Sequence, residues 1–286
     1  MKSTIARALA GALLAVLLVG GCAQFQKQSS VERMYVIECG ENHVSDLSRW
    51  TPGINVGKAH VFSDHCYAIK HAKGWMLWDS GNPDRYAAMP NGFRAGPNAP
   101  ITAFMKKPLA ESLREIGLLP GDIEYFAMSH SHGDHAGNAN LFSGATLYMQ
   151  ASEYDAVFGP EPQKYNFVAA NFEKLRYAKA VRLNGDHDVF GDGTVMIKSA
   201  PGHTVGHQVL VVKLRNTGPV MLTGDMVHLV YSWENRIVPG FNFNVEQSGR
   251  SIDAMKAYAK QVGAKVWVTH DKEQHTGIPK SPRYVD

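Results

Sequence analysis

The chain has 286 residues, of which 44% are hydrophobic and 19% charged, with a formal net charge of +3. That balance suits a soluble globular protein with a real core. No basic stripe or Lys/Arg cluster is present, which excludes nucleic acid as an expected partner.

Residues 1–21 read as a targeting segment. Lys2 and Arg7 precede the apolar stretch ALAGALLAVLLVG (8–20), which is short for a membrane span. It closes on LVGGC, which resembles the lipobox of bacterial lipoproteins with Cys22 as the lipidated residue. The plainer alternative is a cleaved signal peptide with a chance cysteine. Ala23 is similar to the pattern of Gram-negative lipoproteins sent to the outer membrane. The resemblance implies an exported protein facing the periplasm and held to the membrane through its N-terminal lipid only. Residues 22–33 read as a short tether, and 34–286 as a single domain.

Strand signals follow at 34–39, 66–70, 74–79, 123–128, 145–149, 194–199, 208–214, 219–223 and 265–269. Cys39 and Cys66 fall in the first two. Buried free thiols are the plain reading there; a bridge is possible if the two runs are neighbouring strands. Residues 82–104, rich in Gly, Pro and Asn, read as a long loop of the kind that often acts as a lid. In KKPLAESLREIG, Pro108 suits a first helical turn, Leu109, Leu113 and Ile116 share a face, and Gly117 ends the helix. Residues 151–176 mix aromatics with charges and read as partly helical. NGDHDVFGDG (184–193) carries His187 among its aspartates, but its Asn-Gly and Asp-Gly steps mark a turn. SGRSIDAMKAYAKQVG repeats the helical logic, with Ile252, Met255, Ala259 and Val262 on one face and Gly263 closing it. Strands with helices interspersed in both halves predict an α/β sandwich of two similar halves.

The stretch AMSHSHGDHAGN (127–138) carries the chemistry. At a strand end, the period of two points His130 and His132 the same way, and Asp134 and His135 open a helix-like run. Burying four such groups without a metal would cost several kcal/mol in unpaired polar surface.

This motif resembles that of the metallo-β-lactamase superfamily. The resemblance spans nearly everything from residue 34 onward and implies a four-layer αββα sandwich. It also implies three further ligands, which the chain supplies in order: His203 in SAPGHTVGHQ, Asp225 in VMLTGDM and His270 in KVWVTHD. One metal would take His130, His132 and His203; the second would take Asp134, His135 and His270; Asp225 would bridge them. Such a set suits two zinc ions, although iron, manganese or cobalt could occupy it. Two cations so placed present a water as hydroxide for hydrolysis. Asp79 in WMLWDSG matches the family's aspartate beside a ligand histidine, against the alternative of a strand-capping role. His207 would orient a ligand likewise or pack at a strand start. His43, His60, His65, His71 and His275 have no partner pattern and read as structural or exposed.

DLSRWTPG, SHSHGDHAGN, GDHDVFGDGTV, PGHTVGH and the final THD together look like the N-acyl-homoserine lactonase-related branch. That likeness implies lactone opening by a metal-bound hydroxide, with Asp134 shuttling the proton. Such lactonases carry a tyrosine three residues after the bridging aspartate. Here GDMVHLVY places His228 there, able to donate a hydrogen bond in the same role or merely to line the cleft. A β-lactamase or broad carboxylester hydrolase on the same metal site is the alternative. A non-catalytic binding lipoprotein is a third reading, and the intact seven-residue set stands against it. Met89, Phe93, Phe104, Trp233 and Phe241 are candidates for an acyl channel or for core packing.

Overall fold

The computed structural model describes residues 29–286. The targeting segment, Cys22 and most of the expected tether therefore lie outside the described residues. Strand β1 (Val31–Val44) takes in residues 31–33, placed above in the tether, because Val31 and Met34 are already wholly buried. It pairs antiparallel with β2 (His60–His71), which pairs with β3 (Gly74–Trp78). The loop expected over 82–104 ends in a strand, β4 (Ile101–Phe104), which adds to the free edge of β1. The segment folds back on itself there, with Phe93 and Ala103 exchanging backbone hydrogen bonds.

Strands β5 (Tyr125–Ala127), β6 (Thr146–Gln150) and β7 (Ala180–Leu183) extend the sheet in parallel, giving the order β4-β1-β2-β3-β5-β6-β7. The second sheet runs β12-β11-β10-β9-β8. Its members are β8 (His187–Asp188), β9 (Val195–Ser199), β10 (Gln208–Leu214), β11 (Gly218–Leu222) and β12 (Lys265–Trp267). The short β8 lies inside the segment read as a turn. The rest of that segment does turn, with the Asp188 carboxylate accepting the Gly191 and Gly193 amides.

Alternation along the strands builds the layers. Leu210 and Val212 of β10 face the first sheet and join Met34, Tyr67, Ile69 and Trp78 in the inter-sheet core. Val209 and Val211 face outward, against Ile252, Met255 and Ala259 of helix α4 (Val245–Val262). The outer face of the first sheet packs Ala68, Leu77, Phe126 and Leu147 against α1 (Leu109–Glu115) and α2 (Ala151–Phe158). The result is the expected αββα sandwich. Asn244 caps α4 by accepting the Gln247 amide, and Gly263 ends it at a φ of 66°. Two short helices, α3 (Val230–Asn235) and α5 (Lys272–His275), follow β11 and β12. Among the described residues no helix is long and apolar enough to cross a membrane.

Two further expectations change. Cys39 and Cys66 are bridged, with Cα atoms 5.8 Å apart, rather than free. Antiparallel pairing of β1 with β2 brings them within reach, and closing the loop between them contributes roughly 3.5 kcal/mol. The helix expected after Asp134 is a series of turns and one 3-10 turn at Ala139–Phe142. Gly137 shows why: a Cβ there would lie 2.3 Å from the Pro83 nitrogen and 2.5 Å from the Gly81 carbonyl. The chain presses against the loop after β3 instead of coiling.

Candidate metal centre

The loops at one end of both sheets converge on Asp225. His130 and His132 follow β5, His203 precedes β10, Asp225 follows β11 and His270 follows β12. The His130 Nε2 and His132 Nδ1 atoms lie 2.9 Å apart, and His132 Nδ1 lies 3.0 Å from His203 Nε2. On the other side, His135 Nε2 and His270 Nε2 are 3.3 Å apart and approach Asp225 Oδ1 at 3.0 and 2.8 Å. Asp134 Oδ2 stands 3.8 Å from His270 Nε2. Both expected donor groups, His130/His132/His203/Asp225 and Asp134/His135/His270, are therefore assembled.

The far side of each ring shows which nitrogen faces inward as a lone pair. His203 Nδ1 donates to Asn242 Oδ1 at 3.0 Å, and His132 Nε2 to the Tyr165 carbonyl at 3.3 Å. His135 Nδ1 donates to Asp79 Oδ2 at 3.1 Å, and His270 Nδ1 to the Ser63 carbonyl at 2.6 Å. With those protons committed, His132 and His203 point lone pairs at each other, and His135 and His270 turn Nε2 towards each other and towards Asp225, where a proton or a metal ion must sit. Neutral imidazoles repel in that arrangement, and a cation between them resolves it. Donors about 2.0–2.1 Å from a tetrahedral ion sit roughly 3.3 Å apart, close to these spacings. The residues fit a pair of metal ions.

Electrostatics agree. Burial holds His130, His132 and His203 below the usual imidazole range, in the neutral form that binds metal. Burial would also lower His135 and His270, but Asp225 outweighs it: His135 rises, and His270 is pushed to about 9. Asp225 is itself buried, which would raise its pKa, yet the surrounding imidazoles hold it well below the usual carboxylate range. The place where these groups meet calls for positive charge.

Supporting contacts sort the remaining expectations. Asp79 accepts both the His135 ring proton and, at 2.6 Å, the Ser129 amide. It does so from a left-handed backbone with φ of 59°. His207 donates from Nδ1 to the Ala200 carbonyl and accepts the Asp225 amide at Nε2, 3.1 Å each, so it positions Asp225. His228 Nε2 lies 3.1 Å from Asp225 Oδ2, its ring stacks on His270 with centroids 5.5 Å apart, and its Nδ1 has no partner. Asp225, His228 and His270 thereby form a third group of metal-binding geometry. His65 and His275 stack on each other, buried away from the centre.

Several contributors escaped the sequence reading. Asn42 donates to Asp134 Oδ2 at 2.8 Å and accepts from Asn82. Buried Glu153 accepts the Ser131 and Gly206 amides, 2.9 Å each, and so ties two ligand loops together. A cavity of about 380 Å³ opens over the centre, walled by Trp50, Phe62, Ile101 and Phe241 and bordered by Asn42, Arg49 and Asn166. Of the expected channel residues only Phe241 lines it. Met89 and Phe93 pack on the α1/α2 core, Phe104 packs at a tilt against His43, and Trp233 packs beside α4.

Residues 61–268 match the family model of the metallo-beta-lactamase superfamily. The chain is 31% identical over 229 residues to the N-acyl homoserine lactonase AttM of Azorhizobium caulinodans, covering 77% of this chain and 86% of that one. To the N-acyl homoserine lactonase AiiA of Bacillus thuringiensis subsp. kurstaki it is 28% identical over 263 residues, covering 90% and 100%. A solved N-acyl homoserine lactone hydrolase, with N-hexanoyl-L-homoserine bound at its catalytic metal centre, superposes with a TM-score of 0.78 at 25% identity. That match covers 90% of this chain and 100% of the other. With the sandwich and the convergent donors, these likenesses place the chain in the metallo-β-lactamase superfamily, in its N-acyl homoserine lactonase branch.

Proposed function

We propose that this protein is a dinuclear-metal hydrolase that opens N-acyl homoserine lactones, with zinc as its metal. The observation that carries the reading is the convergence of imidazole lone pairs on Asp225 beneath an apolar-walled cavity. Five imidazoles and two carboxylates suit zinc. The names of the AttM and AiiA relatives, and the product held by the solved hydrolase, support the substrate.

His130, His132 and His203 would hold one ion, Asp134, His135 and His270 the other, and Asp225 both. Bound there, two cations supply Lewis acidity and a water of lowered pKa. The chain's own groups do the rest. Asp79 and the Ser63 carbonyl keep His135 and His270 in the required tautomers, and His207 holds Asp225 in place. Asp134, fixed at one oxygen by Asn42, takes the proton of the attacking water as the new C–O bond forms. It returns that proton to the ring oxygen as the lactone C–O bond breaks. The Trp50, Phe62 and Phe241 wall excludes water and receives the acyl group.

His228 lines the same cavity and is assigned to hydrogen-bond the lactone oxygen. Its distance to Asp225 favours a second reading, as a metal ligand. His228→Ala separates the two: retained metal with reduced kcat marks the substrate contact, and loss of an ion marks the ligand.

Export and lipidation at Cys22, with the domain on the periplasmic side of an outer membrane, complete the proposal. The LVGGC motif supports them. Labelled fatty acid should mark the wild type and not Cys22→Ser; equal labelling refutes the anchor.

The test of function is acid release at constant pH from zinc-loaded protein, across homoserine lactones, simple lactones, a phenyl ester and a penicillin. Chelator-sensitive turnover concentrated on the homoserine lactones is expected. Activity confined to the ester or the penicillin would overturn the substrate and leave the metal centre standing.

A further inference from the structure

The segment Asp46–Gly53 lies beside the cavity and supplies Arg49 and Trp50 to its lining. Its backbone is held from several directions. The Asp46 carboxylate accepts the Ser48 and Gly57 amides, the Leu47 amide donates to the Lys58 carbonyl, and the buried Thr51 hydroxyl donates to the Leu47 carbonyl. Trp50 is buried, meeting Phe62 at 5.2 Å and Phe241 at 5.8 Å between ring centroids. Arg49 is thus anchored at its backbone while its side chain is exposed at the cavity edge. Its guanidinium lies 5.2 Å from the Phe241 ring centroid. Among the described residues no carboxylate pairs with it. Arg49 is, among the described residues, the sole arginine or lysine bordering this aromatic-walled cavity.

Resting on the lactonase reading above, we propose that Arg49 recognises an acceptor oxygen on the third carbon of the acyl chain. The enzyme thereby selects 3-oxo- and 3-hydroxyacyl homoserine lactones over unsubstituted ones. The His228 and Phe241 rings lie 6.2 Å apart and the Arg49 guanidinium 5.2 Å from Phe241, so the guanidinium stands at most about 11 Å from His228. In the substrate, the amide spans about 3.8 Å between its flanking carbons, which puts an oxygen on the third acyl carbon roughly 7 Å from the lactone carbonyl. A hydrogen bond of about 2.9 Å extends that reach to roughly 10 Å, within the bound. A plain alkyl chain in the same place covers the guanidinium without giving it an acceptor, and that difference is the source of discrimination.

The test compares kcat/KM for 3-oxo-octanoyl and octanoyl homoserine lactone, equal in chain length, on the metal-loaded enzyme. The wild type should favour the 3-oxo substrate by about tenfold, chiefly through KM. Arg49→Met should abolish that ratio, and Arg49→Lys, which keeps the charge without the planar fork, should retain part of it. A wild type without preference, or an Arg49→Met ratio equal to wild type, overturns the proposal. If the wild type opens neither lactone, the functional reading itself falls, which is a distinguishable result.

Discussion

The two donor trios share Asp225 but are supported in different ways. Around His130, His132 and His203 the outer partners are neutral: the Ser129 hydroxyl, the Tyr165 carbonyl and the Asn242 amide. Around Asp134, His135 and His270 they include the Asp79 carboxylate, and Asp134 is itself an anion. The second trio also leans on the N-terminal hairpin, since Asn42 of β1 holds Asp134 and Ser63 of β2 holds His270. It therefore combines the stronger field for a cation with dependence on contacts between distant parts of the chain. Net affinity for the second ion rests on tertiary structure more than affinity for the first does.

Asp225→Ala should break the comparison outright, because both trios lose their common carboxylate. Both ions and the activity are expected to disappear together, and metal analysis with both retained would contradict the assignment. Asp79→Asn separates the trios. An amide facing His135 Nδ1 favours the tautomer whose proton sits on Nε2, so the second ion should bind about 10–100-fold more weakly in chelator competition while the first is kept. Asn242→Ala is the counterpart at His203, with a neutral partner lost. A drop of at most about tenfold, confined to the first ion, is expected.

The smallest effect belongs to Glu41, which receives Lys272 beside the His270 loop as well as Lys106. Burial would raise its pKa, but hydrogen bonds from Lys272, Lys106 and His43 bring it from 4.5 to about 2. A carboxylate so lowered stabilises the fold above pH 4.5, and its contribution fades as the pH falls towards 2. Glu41→Gln should therefore lower Tm by about 1–3 °C at pH 7, with the difference closing at low pH.

Of the candidate donors, His130, His132, Asp134 and His135 were legible from their own spacing, whereas His203, Asp225 and His270, far apart in the chain, were legible only through the family resemblance. Asp79 was legible in the same way, through the family motif, since a carboxylate at a strand end would by itself suggest only a cap. Carbonyl partners such as those of Ser63 and Tyr165 have no residue signature, and Asn42 and Asn242 acquire meaning only once folding sets them beside Asp134 and His203. The same holds for Cys39 and Cys66, whose fate depends on strand register. Local composition misled in two places. Glycine and proline before Ile101 concealed an edge strand, and the apparent helix after Asp134 is suppressed by backbone contact at Gly137.

The length of β1 has a consequence for orientation. With about 3.3 Å per residue, Val31 and Val44 lie up to about 43 Å apart along the strand, with Asn42 at the cavity end. The chain therefore enters the described fold at the pole opposite the cavity, so an anchor at Cys22, as proposed, would attach away from the cavity mouth and leave it unobstructed.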